Sequence, residues 1–171
     1  MDLLDFDVNQ LYFEEPIHPE AQQCIDQAAE AYGQTEAEFK LMRAYFLEPQ
    51  HPLVLVALYR YFYYQHRYLD GLLVAERVLR LFAQRLDLNE QWQDLTEEQA
   101  TQVNEAEKDT LTWLRFYLFA LKGAAYLEAR LGHYDTAILR LEKVLLFDRE
   151  DRLGVKSLLV IFQNERDEQG N

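Results

Sequence analysis

Two stretches of the chain carry the same pattern 66 residues apart. HRYLDGLLVAERVL begins at His66, and GHYDTAILRLEKVL begins at Gly132. Tyr68 aligns with Tyr134, Leu72 with Ile138, Leu73 with Leu139, Val78 with Val144 and Leu79 with Leu145. The charged pairs also align, Glu76 with Glu142 and Arg77 with Lys143. Gly71 and Ala137 are both small. Within each stretch the apolar residues recur three and four apart, which is the signature of a helix with one buried face. A short helical unit that recurs cannot bury that face alone. Stacking neighbours against each other supplies the missing core.

The rest of the chain agrees with a helical reading. It has 171 residues but only 6 glycines and 4 prolines. The prolines are Pro16, Pro19, Pro49 and Pro52, and none follows. Few helix breakers and many strong helix formers predict an all-α protein.

The repeat resembles the tetratricopeptide repeat (TPR) family, whose 34-residue unit is a helix–turn–helix with a Leu–Gly–Tyr…Ala…Phe…Pro pattern. A first unit over 18–51 carries Cys24, Ile25, Ala28, Ala37, Leu41, Ala44 and Pro49. A middle unit over 52–85 carries Leu55, Leu58, Tyr59, Phe62, Tyr68, Gly71 and Ala75. A third unit over 118–151 carries Leu121, Ala124, Ala125, Gly132, Tyr134, Ala137 and Leu141. The turn of the first unit departs from the pattern, Tyr59 stands where the family has a small residue, and Arg149 replaces the usual proline. The resemblance implies an α-solenoid of about three antiparallel helix hairpins forming one domain over 18–163.

An acidic insert over 86–117 separates the second and third units. Thr96 followed by Gln99 forms a capping-box signature. With no Pro or Gly from there to Gly123, one helix is expected from about Glu97 to Leu131. Leu111, Leu114, Leu118, Leu121 and Ala125 would share its seam. Val155, Leu158, Leu159 and Phe162 predict a capping helix over 152–163, which terminal repeats need to close their core. The polar tail 164–171 reads as flexible, and 1–17 as an arm mixing apolar and acidic residues.

The formal net charge of −13 argues against nucleic acid and anionic membrane surfaces, both of which recruit clustered Lys and Arg. A single cysteine, Cys24, excludes an internal disulfide. It reads as a core residue rather than a nucleophile. The N-terminus has acids where a signal peptide carries bases, so a cytoplasmic setting is expected. The histidines His18, His51, His66 and His133 are isolated and read as turn residues. No phosphate loop, metal-ligand spacing or nucleophile elbow is present. The chain is therefore expected to be non-enzymatic, without catalytic residues, metal or cofactor.

The TPR resemblance also implies where a partner would sit, because the first helix of each unit lines a concave groove. In the middle unit those positions are Val56, Arg60, Tyr63 and Tyr64. In the third they are Lys122, Tyr126 and Arg130, each four apart and so on one helix face. Tyr and Arg are common at binding hot spots, and cations there favour an acidic or carboxylate-bearing peptide. The Lys/Asn/Asn/Lys/Arg clamp that some TPR domains close on chaperone tails maps to Gln22, Asp26, Ala57, Phe119 and Gly123, none of which fits. The expected function is a protein–protein interaction module, an adaptor or partner-specific chaperone. The alternatives are a structural subunit of a constitutive oligomer and a type III secretion-like chaperone. The arm over 1–17 is itself a candidate occupant of the groove, in its own chain or in a neighbour's as a homodimer.

Overall fold

The computed structural model describes residues 15–169, with the side chain of Gln169 left aside. Most of the N-terminal arm therefore lies outside the described residues. Those that are described form eight α-helices and no strand. They are α1 (Pro19–Glu30), α2 (Thr35–Leu47), α3 (Pro52–Tyr64), α4 (Tyr68–Arg85), α5 (Glu97–Asn104), α6 (Lys108–Arg130), α7 (Tyr134–Phe147) and α8 (Val155–Gln169). A single 3-10 turn, Trp92–Asp94, precedes α5. Along the chain, α1 packs on α2, α2 on α3, α3 on α4, α4 on α6, α6 on α7 and α7 on α8.

Local chemistry sets the helix ends. Pro19 and Pro52 open α1 and α3, where a missing N–H is harmless. His18 and His51 cap those helices, each Nδ1 accepting a backbone N–H from two residues on, at 3.2 Å. At the other ends, α3, α4 and α6 close alike. His66, Asp87 and Gly132 take positive φ. The next residue then donates its N–H back to Phe62, Ala83 and Glu128 respectively, each at 2.9 Å. This satisfies carbonyls that the helix end would otherwise orphan. Helix α4 starts at Tyr68 and α7 at Tyr134, the two residues that the internal alignment matches.

Two apolar clusters fill the interior. Ala21, Cys24, Ala28, Ala37, Leu41 and Ala44 from α1 and α2 meet Leu58 and Phe62 of α3. Small residues let α1 and α2 approach closely. The larger cluster centres on α6, which is buried around its whole circumference from Phe116 to Ala125. Gly71 brings α4 close, since a Cβ there would meet Leu127 Cδ1 at 3.2 Å. Phe82 and Phe116 pack edge to face at 4.7 Å between centroids.

Two sequence expectations need correction. The helix expected from Glu97 to Leu131 is two helices, broken at residues 105–107. The capping box is present at Thr96 and Gln99. However, Asn104 ends α5 by donating Nδ2 to Ala100 O at 2.8 Å and to Phe147 O at 3.1 Å. That ties α5 to α7, while α6 runs off to lie between α4 and α7. Asp109 then sits in the first turn of α6, where a carboxylate suits the helix dipole. Second, the capping helix expected over 152–163 runs from Val155 to Gln169 and so takes in most of the polar tail. No breaker interrupts it, and Arg166 reaches Asp135 of α7 at 3.6 Å.

The acidic insert is packed rather than loose. Trp92, Leu95, Ala100 and Val103 are buried. Lys143 of α7 donates Nζ to Leu95 O at 2.7 Å.

Candidate functional site

The aromatic run Leu58–Asp70 divides between core and surface along α3 and into α4. Tyr59 is fully buried, and Phe62 is buried between α3 and its neighbours. Tyr61 is also buried, and its ring meets Tyr32 edge to face at 6.5 Å. Burial, with Glu38 close by, raises the pKa of Tyr61 above the ordinary phenol value. Tyr63 is half-buried and Tyr64 is 54% exposed.

Tyr63 is the hub of a phenol cluster that joins α3, α4 and α6. Its ring lies 5.9 Å from that of Tyr126, 5.4 Å from Tyr64 and 6.2 Å from Tyr68. Arg130 donates Nη2 to Tyr68 Oη at 3.0 Å and stands 5.1 Å from the centre of that ring. Tyr68 and then Tyr126 raise the Arg130 pKa above its ordinary value, so the guanidinium stays charged throughout the accessible range. Arg60 is half-buried one turn before Tyr63 and Tyr64. Of the seven expected wall residues, Tyr63, Tyr64, Tyr126 and Arg130 are joined by these contacts, with Tyr68 as the bridge to Arg130, and Arg60 shares the face of α3 that carries Tyr63 and Tyr64 by helical spacing.

The other two do not belong to an open wall. Val56 is 2% exposed and packs in the core. Lys122 is 5% exposed, and its Nζ donates to Leu153 O at 2.7 Å. A buried ammonium needs such a partner. Lys122 therefore pins the α7–α8 turn to α6 rather than facing a ligand. Helical spacing alone could not reveal that carbonyl.

Sequence reasoning missed a buried ionic cluster on the opposite side of α6. Arg140 of α7 is buried, ion-pairs with Glu76 of α4, and donates to Glu128 of α6 at 3.2 Å. His133 Nδ1 meets the other Glu128 oxygen at 2.8 Å. The Arg140 guanidinium lies 4.4 Å from the Trp92 ring centre, so it also holds the insert. The Tyr117 hydroxyl has no hydrogen-bond partner among the described residues. Its pKa is raised well above the ordinary phenol value, by burial first and then by Glu76, with Arg140 opposing. The cluster ties α4, α6, α7 and the insert together, which gives it a structural role.

Two further surface features carry information. A cleft of about 640 Å³ opens between the start of α6 and the α7–α8 turn, with Leu114, Leu118 and Phe147 among its walls and Arg115, Arg149 and Arg152 around it. On α2, Phe39 is 72% exposed and Phe46 78%, with Met42 between them. Their spacing makes a second apolar stripe, opposite the buried Ala37, Leu41 and Ala44. Among the described residues, no group of three or more His, Cys, Asp or Glu is placed to hold a metal. No helix among them is long and apolar enough to cross a membrane.

No protein-family profile matches the chain, and no solved structure does. Over 159 residues it is 43% identical to the "Uncharacterized 19.8 kDa protein in nifW 5'region" of Azotobacter chroococcum mcd 1. The match covers 93% of this chain and 87% of that relative. The chain belongs to the same family as that Azotobacter protein.

Proposed function

We propose that the protein is a non-enzymatic, TPR-like helical-repeat module that binds an acidic protein segment along the inner side of α3 and α6. The observation that carries this reading is the phenol cluster in which Tyr63 meets Tyr64 and Tyr126, at 5.4 and 5.9 Å between ring centres, with Arg130 held on Tyr68 beside it; Arg60 lies one turn before Tyr63 and Tyr64 on the same helix. A chain of net charge −13 that gathers arginines and phenols on one wall favours anionic, partly apolar partners. The solenoid reading draws support from the 66-residue offset between the starts of α4 and α7, and from the sequential packing of the helices. In this reading the protein acts in the cytoplasm as an adaptor or partner-specific chaperone.

Affinity capture with tagged protein tests the proposal. The wild type retains a discrete partner, and the Arg60→Glu/Arg130→Glu double variant loses it at an unchanged melting temperature. Undiminished capture by the double variant overturns the wall as the binding surface.

A second reading, a constitutive oligomer, is favoured by the exposed Phe39–Met42–Phe46 stripe of α2. An apolar stripe of this kind usually meets something. Sedimentation at micromolar concentration decides it. A dimer that Phe39→Asp/Phe46→Asp converts to monomer supports the oligomer, and a wild-type monomer rules it out.

A further inference from the structure

We propose that the cleft between the start of α6 and the α7–α8 turn is a second binding site, which takes a small amphiphilic carboxylate: an alkyl or aryl chain that ends in one carboxylate group. It stands apart from the α3–α6 wall and does not depend on that wall binding a partner.

The cleft exists because two paired helices differ in length. Helix α6 has 23 residues and α7 has 14, and they are joined at residues 131–133. The first turns of α6 therefore overhang the end of α7 at Phe147. Leu111, Leu114 and Leu118 recur three and four apart along that stretch, so they share one face of α6. Leu111 is 38% exposed at the mouth, and Leu114 and Leu118 lie deeper. With Phe147 and Leu153 they form apolar walls around a space of about 640 Å³. That volume and that lining suit a small molecule, whose sites span about 300–1,000 Å³.

The charge at the mouth selects an anion. Arg115, Arg149 and Arg152 all line the cleft and are exposed. Arg152 is paired with Glu150 at 2.6 Å. Asp148 also lines the cleft, but its carboxylate accepts the N–H groups of Arg152 and Leu153, at 3.0 and 2.7 Å. Arg115 and Arg149 have no ion pair among the described residues. Arg115 instead lies 5.5 Å from the centre of the Phe119 ring. Two uncommitted guanidiniums beside apolar walls favour a carboxylate with a hydrocarbon body. The net charge of −13 and Glu150 at the rim oppose a polyanion, so a single charge fits better than a phosphate or a strongly acidic segment.

Polar groups that a peptide main chain would need are already engaged. Asn104 donates Nδ2 to Ala100 O and Phe147 O. Leu153 donates its N–H to Asp148, and its carbonyl accepts from Lys122 at 2.7 Å. An extended peptide laid here would press N–H and C=O groups against leucine and phenylalanine, and each one buried without a partner costs free energy. A hydrocarbon chain has no such groups to satisfy. The same bonds hold the turn against α6, so the walls are set before a ligand arrives.

Titration of the full-length protein with decanoate, kept below its micelle-forming concentration and followed by carbon-13 methyl spectra, tests this. Saturable binding is expected, with the largest shifts at the methyls of Leu114, Leu118 and Leu153. Decanol carries the same chain without the charge and should bind about tenfold more weakly. Arg115→Gln/Arg149→Gln changes two exposed side chains, and it should weaken decanoate about tenfold while leaving decanol unchanged. Leu111→Asp, which puts a like charge at the mouth, should also weaken decanoate. No saturation, or the largest shifts at another place such as Met42 of α2, would overturn the site. Equal affinity for decanol and decanoate, or wild-type binding by the arginine variant, would overturn the role of the guanidiniums. Tighter binding in the cleft by the capped peptide acetyl-Asp-Leu-Phe-Asp-amide than by decanoate would overturn the ligand class. Arg60→Glu/Arg130→Glu should bind decanoate as the wild type does, so this site and the α3–α6 wall can fail separately.

Discussion

Replacing Gly123 with Ala should destabilise this protein, against the usual sign of that change in a helix. Gly123 lies inside α6, where Ala is ordinarily better by about 1 kcal/mol. Here a Cβ would meet Tyr59 Oη at 2.7 Å and Tyr59 Cζ at 3.2 Å. Tyr59 is fully buried in α3 and cannot swing aside into solvent. Overpacking a well-filled core costs about 1–3 kcal/mol. The contact therefore outweighs the propensity gain, and the expected net loss is about 1 kcal/mol. For a chain of this size that lowers the melting temperature by about 2–4 °C. Tyr59→Phe removes the atom at 2.7 Å, so the Gly123→Ala/Tyr59→Phe pair should recover most of the loss. Thermal and urea unfolding of the four proteins, followed by far-UV circular dichroism, gives the double-mutant cycle. A coupling of about 1 kcal/mol or more is expected. If Gly123→Ala alone stabilises, or if the two changes simply add, the close approach of α3 to α6 is wrong.

Two further outcomes follow from the ionic cluster. Arg140→Leu leaves Glu128 buried and Glu76 half-buried without their guanidinium. The expected loss is about 2–3 kcal/mol, below the full cost of breaking a buried pair because His133 still contacts Glu128 and Glu76 is partly wet. Hydrogen exchange should quicken in the Trp92 turn and α5, and protection that is unchanged there contradicts the pinning role. The neutral Tyr117 phenol has a raised pKa in the folded chain. Its contribution is complete below about pH 10, the ordinary phenol value, and is lost as pH climbs towards the folded-state value. Tyr117→Phe should remove part of the alkaline fall in the urea midpoint. At neutral pH it should be neutral, or stabilising by up to about 1 kcal/mol, because a buried unpaired hydroxyl disappears. Wild-type behaviour at both pH values contradicts the burial argument.

The helical class was legible because breakers are few and apolar spacing is regular. Some ends could be read from single residues, such as the Thr96–Gln99 box at the start of α5. What escaped was set by tertiary partners. No Gly or Pro marks the break at residues 105–107. It arises because Asn104 finds Phe147 O, 43 residues away. The stripe of Lys122, Tyr126 and Arg130 is real as spacing, yet Lys122 is claimed by Leu153 O. Arg140 sits in an apolar seam whose pattern gives no hint of two acids from other helices. The exposed stripe of α2 was readable as Phe39, Met42 and Phe46, but the buried Ala37, Leu41 and Ala44 share that helix and carry the stronger core signal.

The most direct test of the central claim compares partner capture by wild type, by Arg60→Glu/Arg130→Glu and by Phe39→Asp/Phe46→Asp under matched conditions. Only the arginine variant is expected to lose its partner, with melting temperatures equal across the three. Loss in the α2 variant with retention in the arginine variant would move the binding surface from the α3–α6 wall to α2 and contradict the account.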